Sequence, residues 1–186
     1  MGNNKPVEMT QVKSQGGQFR WVAVSSLLLA IGAIMRLVSP SFAGVSINWI
    51  ITMYCITILV IHPSVPKAVA IGIVAGAINT ITSKSPMPHL NLLSEPIGAL
   101  TCVLLMSLPF ELKIKSASIR PAVITFITTV ASGLTFITTF KLLMNVPTQI
   151  YIYGMLPVVV FTAVANTVIA QLLYYPARKL LGQEDK

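Results

Sequence analysis

Long apolar runs separated by short polar or proline-bearing breaks dominate the chain, and six runs are long enough to be read as membrane spans. The first covers about Trp21 to Val38 and stops at Ser39 and Pro40. The second covers about Val45 to Ile61, before the proline-flanked segment His62 to Pro66. The third covers about Lys67 to Ser83, and the fourth about Asn91 to Leu108, with Pro109 behind it. Pro121, with Ser118 as a cap, opens a fifth that reaches about Met144. The sixth covers Leu156 to Tyr175, before Pro176. This pattern predicts an all-α polytopic membrane protein with six transmembrane helices over residues 19–178. A disordered tail is expected at 1–18 and a charged tail at 179–186. At 1.5 Å per residue the third and fourth spans reach only about 25 Å, so loops must anchor their ends.

Composition agrees with a lipid solvent. The 186 residues are 54% hydrophobic and 10% charged, against about 25% charged in soluble domains. The net charge of +8 would suit nucleic acid in a soluble protein, but here the cations sit between spans, where they set orientation. With the N-terminus inside, the inner segments hold Lys5, Lys13, Arg20, Lys67, Lys113, Lys115, Arg120, Arg178, Lys179 and Lys186. Only Arg36, Lys84 and Lys141 fall outside. Both termini are therefore expected in the cytoplasm, and residues 39–44, 84–90 and 145–154 form the outer loops. The first 18 residues are polar and the first apolar run can span, so no cleavable signal peptide is expected. Cys55 and Cys102 lie in different spans without redox spacing and read as small buried hydrophobes.

Helical projection sorts the faces. In the fifth span Thr125, Thr128, Thr129, Ser132, Thr135 and Thr139 fall within about 120° of one another and should face the bundle. Phe126, Ile127, Val130, Leu134 and Ile137 should face lipid. In the third span Ala68, Gly72, Ala75, Gly76 and Asn79 share a face on which Gly72-x-x-x-Gly76 permits close helix approach. Asn79 either bonds a neighbouring helix or contacts solute. Asn166 in the sixth span groups with Thr162, Ala163 and Ala170, a position suited to an interhelical hydrogen bond. Ser26, Ala30 and Ala33 form a small-residue strip on the first helix, turned away from Ser25, Gly32 and Arg36. Such a strip is a docking surface for another helix.

Glu95 is the one acid set in an apolar span, and a carboxylate at membrane depth needs a reason. One reading is structural: Ser94 caps the helix, and Glu95 and Pro96 occupy its first turn. The other is functional: Glu95 binds a cationic group, or pairs with Arg36 or Lys84 at the same level. Arg36 could equally snorkel to the surface. His89 lies near Lys84 with no second ligand to make a metal site. The sequence carries no Walker motif, no Gly-x-Ser-x-Gly, no His-Glu-x-x-His and no intramembrane acid pair. Neither a catalytic site nor a cofactor is expected. A solute-binding membrane protein powered from elsewhere fits best; the alternative is a stand-alone secondary carrier or small channel, against which the lack of an inverted repeat argues.

Leu-Ala-Ile-Gly-Ala-Ile at 29–34, Ile-Gly-Ile-Val-Ala-Gly at 71–76 and Asn-Leu-Leu-Ser-Glu-Pro at 91–96 resemble the tryptophan-transporter family. That family belongs to the S components, the substrate-binding subunits of energy-coupling-factor importers in bacteria and archaea. The similarity covers about Val22 to Leu108. Pro86-Met87-Pro88 stands where the family tends to carry Gly-Gly-Gln, and Ser94 where it carries Asp. The resemblance implies a plasma-membrane protein that captures tryptophan, or another aromatic or vitamin-like solute, under its outer loops. It further implies docking of the Ser26, Ala30 and Ala33 face on a membrane coupling (T) subunit driven by two cytoplasmic ATPases. On that basis Glu95 would bind a ligand amine, Asn91 and Asn79 polar groups, and Arg36 or Lys84 a carboxylate. Trp49 or Tyr151 would stack on an aromatic ring.

Overall fold

A computed structural model describes residues 19–39, 47–110, 112–114 and 117–181. The tail expected at 1–18, the start of the second span at 45–46, most of the first outer loop and residues 182–186 lie outside the described residues. Six helices make the bundle: α1 Arg20–Val38, α2 Trp49–Ile61, α3 Val65–Thr82, α4 Asn91–Ser107, α5 Arg120–Met144 and α6 Thr148–Leu180. Five are long and apolar enough to cross a membrane, and α2 is the shorter sixth. The protein is a multi-pass, all-α membrane protein.

The short helix holds the centre. Every residue from Ile50 to Val60 is buried, as expected of a helix that is apolar on all sides. Its 13 residues extend only about 20 Å, so α2 is shielded by α1, α3, α4, α5 and α6 rather than presented to lipid. The surrounding helices turn large apolar side chains outward, among them Leu27, Ile34, Ile73, Leu104, Phe161 and Leu172.

Two interhelical seams set the geometry. The small-residue face of α3 is buried from Ala68 to Asn79 and lies on α4. A Cβ on Gly72 would meet Ala99 Cβ and Pro96 Cα at 2.7 Å, and one on Gly76 would meet the Asn91 carbonyl oxygen at 2.6 Å. Glycine is required at both. The second seam joins α5 to α6, where Gly133 admits the Val159 side chain and Asn166 Nδ2 donates to Thr129 Oγ1 at 3.3 Å. On α5 Thr125, Thr128, Thr129 and Ser132 are buried as projected, whereas Thr135 and Thr139 bond their own backbone and are half-buried. Ile137 departs from the projection. It is buried and lines a cavity.

Some helix ends also depart from the sequence pattern. At α4 the start is the expected one, Asn91, behind a 3₁₀ turn, Pro88–Leu90. Ser94, Glu95 and Pro96 are thus inside the helix, and the helix-start role considered for Glu95 does not apply. The loop expected at 145–154 is largely helical: after Asn145 ends α5 with φ 49°, α6 starts at Thr148 and passes through a π turn, Tyr151–Met155. Pro176 does not stop α6, which continues to Leu180. A proline one turn from a helix end removes a single backbone bond, a loss an exposed end tolerates. A two-residue antiparallel ladder, β1 Lys113–Ile114 with β2 Ala117–Ser118, closes the α4–α5 connection. It is held on α6 by the Ser118 N–H donating to Tyr175 Oη at 2.8 Å and Gln171 Nε2 donating to the Ser118 carbonyl at 3.0 Å. Arg20 Nη2 donates to the Leu181 carbonyl at 2.5 Å, so both described ends lie at one end of the bundle.

Candidate functional site

At the opposite end a cavity of about 420 Å³ is enclosed by the last turn of α1, the residue before α2, the 83–86 turn and the upper halves of α4, α5 and α6. Its size suits a small solute. One wall is ionic and the other largely apolar.

The ionic wall is assembled by four helices. Arg36 comes from the last turn of α1, Asn48 from the residue before α2, Asn79 from the last turn of α3 and Glu95 from the second turn of α4. Arg36 Nη1 donates to Asn48 Oδ1 at 2.7 Å and to Asn79 Oδ1 at 2.6 Å. The same two amides donate onward to one carboxylate oxygen: Asn48 Nδ2 to Glu95 Oε1 at 2.9 Å and Asn79 Nδ2 to Glu95 Oε1 at 2.5 Å. Cation and anion thus share two amide bridges in place of a direct salt bridge. The other oxygen, Oε2, accepts from Ser132 Oγ at 3.3 Å. Glu95 is 1% exposed and Asn79 0%, so the network satisfies charges that the membrane interior would otherwise reject. Gly98, one turn below Glu95, lets the Tyr54 ring lie against α4, and the buried Tyr54 hydroxyl lies beside the Glu95 carboxylate, outside ordinary hydrogen-bond geometry.

From α5 and α6 come the apolar Phe136, Ile137, Met155, Val158 and Val159, with the hydroxyls of Thr129, Ser132 and Thr162 among them. Phe136 is the aromatic side chain among the lining residues. The π turn contributes Gly154 and Met155, an irregularity of the kind that recurs beside binding sites.

Of the residues singled out from sequence, Glu95, Arg36, Asn91 and Lys84 line this cavity. Asn91 Nδ2 is committed to the Pro88 carbonyl at 2.6 Å, fixing the 3₁₀ turn. Asn79 stands behind the wall and reaches it through Glu95 and Arg36. Trp49 and Tyr151 are outside the lining: Trp49 Nε1 donates to Ser39 Oγ at 2.7 Å, and the Tyr151 hydroxyl bonds Thr138 Oγ1 at 2.9 Å with Lys141 Nζ 5.0 Å from its ring centre. On α1, Ser26 and Ala30 are exposed and Ala33 half-buried, while Ser25 and Gly32 face the bundle. Asn48 and Phe136 were not singled out. An amide heading a wholly apolar run was the available signal for Asn48. Nothing in the pattern marked Phe136.

The chain matches the family described as "Tryptophan transporter TrpP" over residues 18–182. It is 29% identical over 160 residues to a "Probable tryptophan transport protein" of Bacillus subtilis (strain 168), covering 83% of this chain and 88% of that one. A second "Probable tryptophan transport protein", from Clostridium perfringens (strain 13 / Type A), is 28% identical over 169 residues, 86% of this chain and 92% of its own. No solved structure matches. A six-helix membrane bundle with a solute-sized cavity, matched by one family model over nearly its whole described length, is a transport protein, and the chain belongs to the tryptophan transporter TrpP family.

Proposed function

We propose that the chain is the substrate-binding membrane subunit of an energy-coupling-factor importer, taking up tryptophan or a closely related aromatic solute from outside the cell. The observation that carries this reading is the division of the cavity into an ionic wall and a largely apolar wall bearing an aromatic ring. An amphipathic aromatic amino acid is its complement. Glu95 takes the ammonium group, and Arg36 with Lys84 takes the carboxylate. Phe136 stacks on the indole, the task first considered for Trp49 or Tyr151. Asn91 frames the mouth, and Asn79 acts through its two charged partners. Family membership and the names of both relatives support tryptophan as the solute. The excess of Lys and Arg in the segments at the Arg20 end supports a cavity that opens outward in the cell membrane of a bacterium or archaeon.

The energy source lies in partners. The exposed Ser26 and Ala30, with Ala33, form the docking strip for a membrane coupling subunit joined to two cytoplasmic ATPases. The test is affinity purification of the full chain from its native membrane, followed by assay of tryptophan uptake in liposomes. Co-purification with a coupling subunit and an ATPase pair, reduced by Ala30→Trp without loss of tryptophan binding, is expected. Tryptophan accumulation by the purified chain alone would overturn the coupling and leave a stand-alone carrier.

A further inference from the structure

The amides in the ionic wall have an orientation forced on them. Guanidinium has no acceptor and ionised carboxylate has no donor, so each Asn must turn Oδ1 toward Arg36 and Nδ2 toward Glu95. Asn48 and Asn79 do so in parallel, converging on the same Arg36 Nη1 and the same Glu95 Oε1. The two ions are therefore held two hydrogen bonds and the width of an amide apart, with both amides on one edge of each. Among the described residues Arg36 donates through Nη1 alone, and its Nε is buried without a partner. Among the described residues Glu95 Oε2 takes only the long bond from Ser132, with the buried Tyr54 hydroxyl beside the carboxylate. Both ions line the cavity.

A direct Arg36–Glu95 salt bridge would satisfy the same charges more simply, but it would leave neither for a ligand. We propose that Asn48 and Asn79 are positioning residues, an amide spacer that prevents this collapse and presents a fixed cation–anion pair to a zwitterionic α-amino-acid head group. The spacer thereby selects the free amino acid over analogues that lack either charge. This deepens the reading above and rests on it. A head group that brings both charges completes both open edges, whereas an analogue with one charge leaves the other ion desolvated and unpaired.

The experiment measures equilibrium dialysis of L-tryptophan, tryptamine and indole-3-propionate with the purified full chain, alongside Asn48→Ala and Asn79→Ala. Asn48 lines the cavity and is half-buried, so its variant keeps the test available where Asn79→Ala fails to fold. Wild type is expected to favour tryptophan over each analogue by at least about tenfold. Either variant is expected to cut that preference by about tenfold, through weaker tryptophan binding, with analogue binding changed by less than about threefold. Variants that discriminate as wild type does, or that lose all three ligands in parallel with melting temperature, overturn the spacer. Wild type that binds tryptophan and both analogues alike refutes selection by the ionic pair while leaving tryptophan as the solute. Wild type that binds none of them overturns the solute reading and the spacer together.

Discussion

Gly76 is where packing and ligand site are most tightly joined, and Gly76→Ala shows how closely. The added methyl would stand 2.6 Å from the Asn91 carbonyl oxygen and 3.0 Å from Leu92 Cα. Both are backbone atoms, which cannot rotate away. A comfortable carbon–oxygen contact needs about 3.4 Å, so α3 and α4 must part by up to about 0.8 Å at this level. Asn79 lies one turn further along α3, and its 2.5 Å bond to Glu95 crosses the same seam. The same separation would stretch that bond to about 3.3 Å, near the limit for a useful hydrogen bond. Overpacking of this kind costs about 1–3 kcal/mol. For a chain of this size 2 kcal/mol corresponds to a fall of about 6 °C in melting temperature. Thermal unfolding of the purified variant in detergent reads the first effect, and tryptophan dialysis the second. A variant that melts within about 1 °C of wild type and binds tryptophan equally would refute the claim that this seam is closed on glycine.

Three further outcomes follow from the placement of side chains. Phe136→Ala should weaken tryptophan binding by roughly tenfold, from lost stacking and contact area, while leaving the ionic wall intact; isothermal titration checks it. Trp49→Phe and Tyr151→Phe each delete one hydrogen bond outside the cavity, so tryptophan affinity measured the same way should change by less than about threefold. Asn166→Leu should alter stability by less than about 1 kcal/mol, because its bond to Thr129 is long and, among the described residues, its Oδ1 lacks a partner. Thermal unfolding that shows Asn166→Leu to be strongly destabilising would contradict this.

Much of the bundle was legible because membrane helices write their environment into one face. Ala68, Gly72, Ala75, Gly76 and Asn79 are buried together, and period alone groups them. Glu95 and Asn79 stood out as polar atoms in apolar helices, and they prove to be hydrogen-bonded to each other. What period cannot supply is depth. Ile137 projects among lipid-facing residues yet lines the cavity, a space that only the other helices define. Trp49 and Tyr151 carry the expected chemistry for stacking but lie outside that space, while Phe136, without any distinguishing neighbour, lies in it. The helix-start reading of Glu95 depended on a boundary at Ser94. With α4 starting at Asn91, the start that the apolar pattern itself gives, Glu95 falls in the second turn, past the exposed N–H groups that a helix-start role needs. Asn48 lies inside the span expected from Val45 to Ile61, but α2 begins only at Trp49, which leaves the amide free of the helix and turned to the ionic wall.

The central claim is that Glu95 in the ionic wall binds the ligand's ammonium group. Titration calorimetry of L-tryptophan into the purified full chain, wild type beside Glu95→Gln, tests it most directly. Glutamine keeps the shape and its oxygen can still accept from Asn48 and Asn79, so the variant removes the charge and turns the Oε2 position from acceptor to donor. One tryptophan per chain is predicted for wild type, with affinity falling about thirtyfold or more in the variant. Equal affinity in wild type and Glu95→Gln would contradict the assignment.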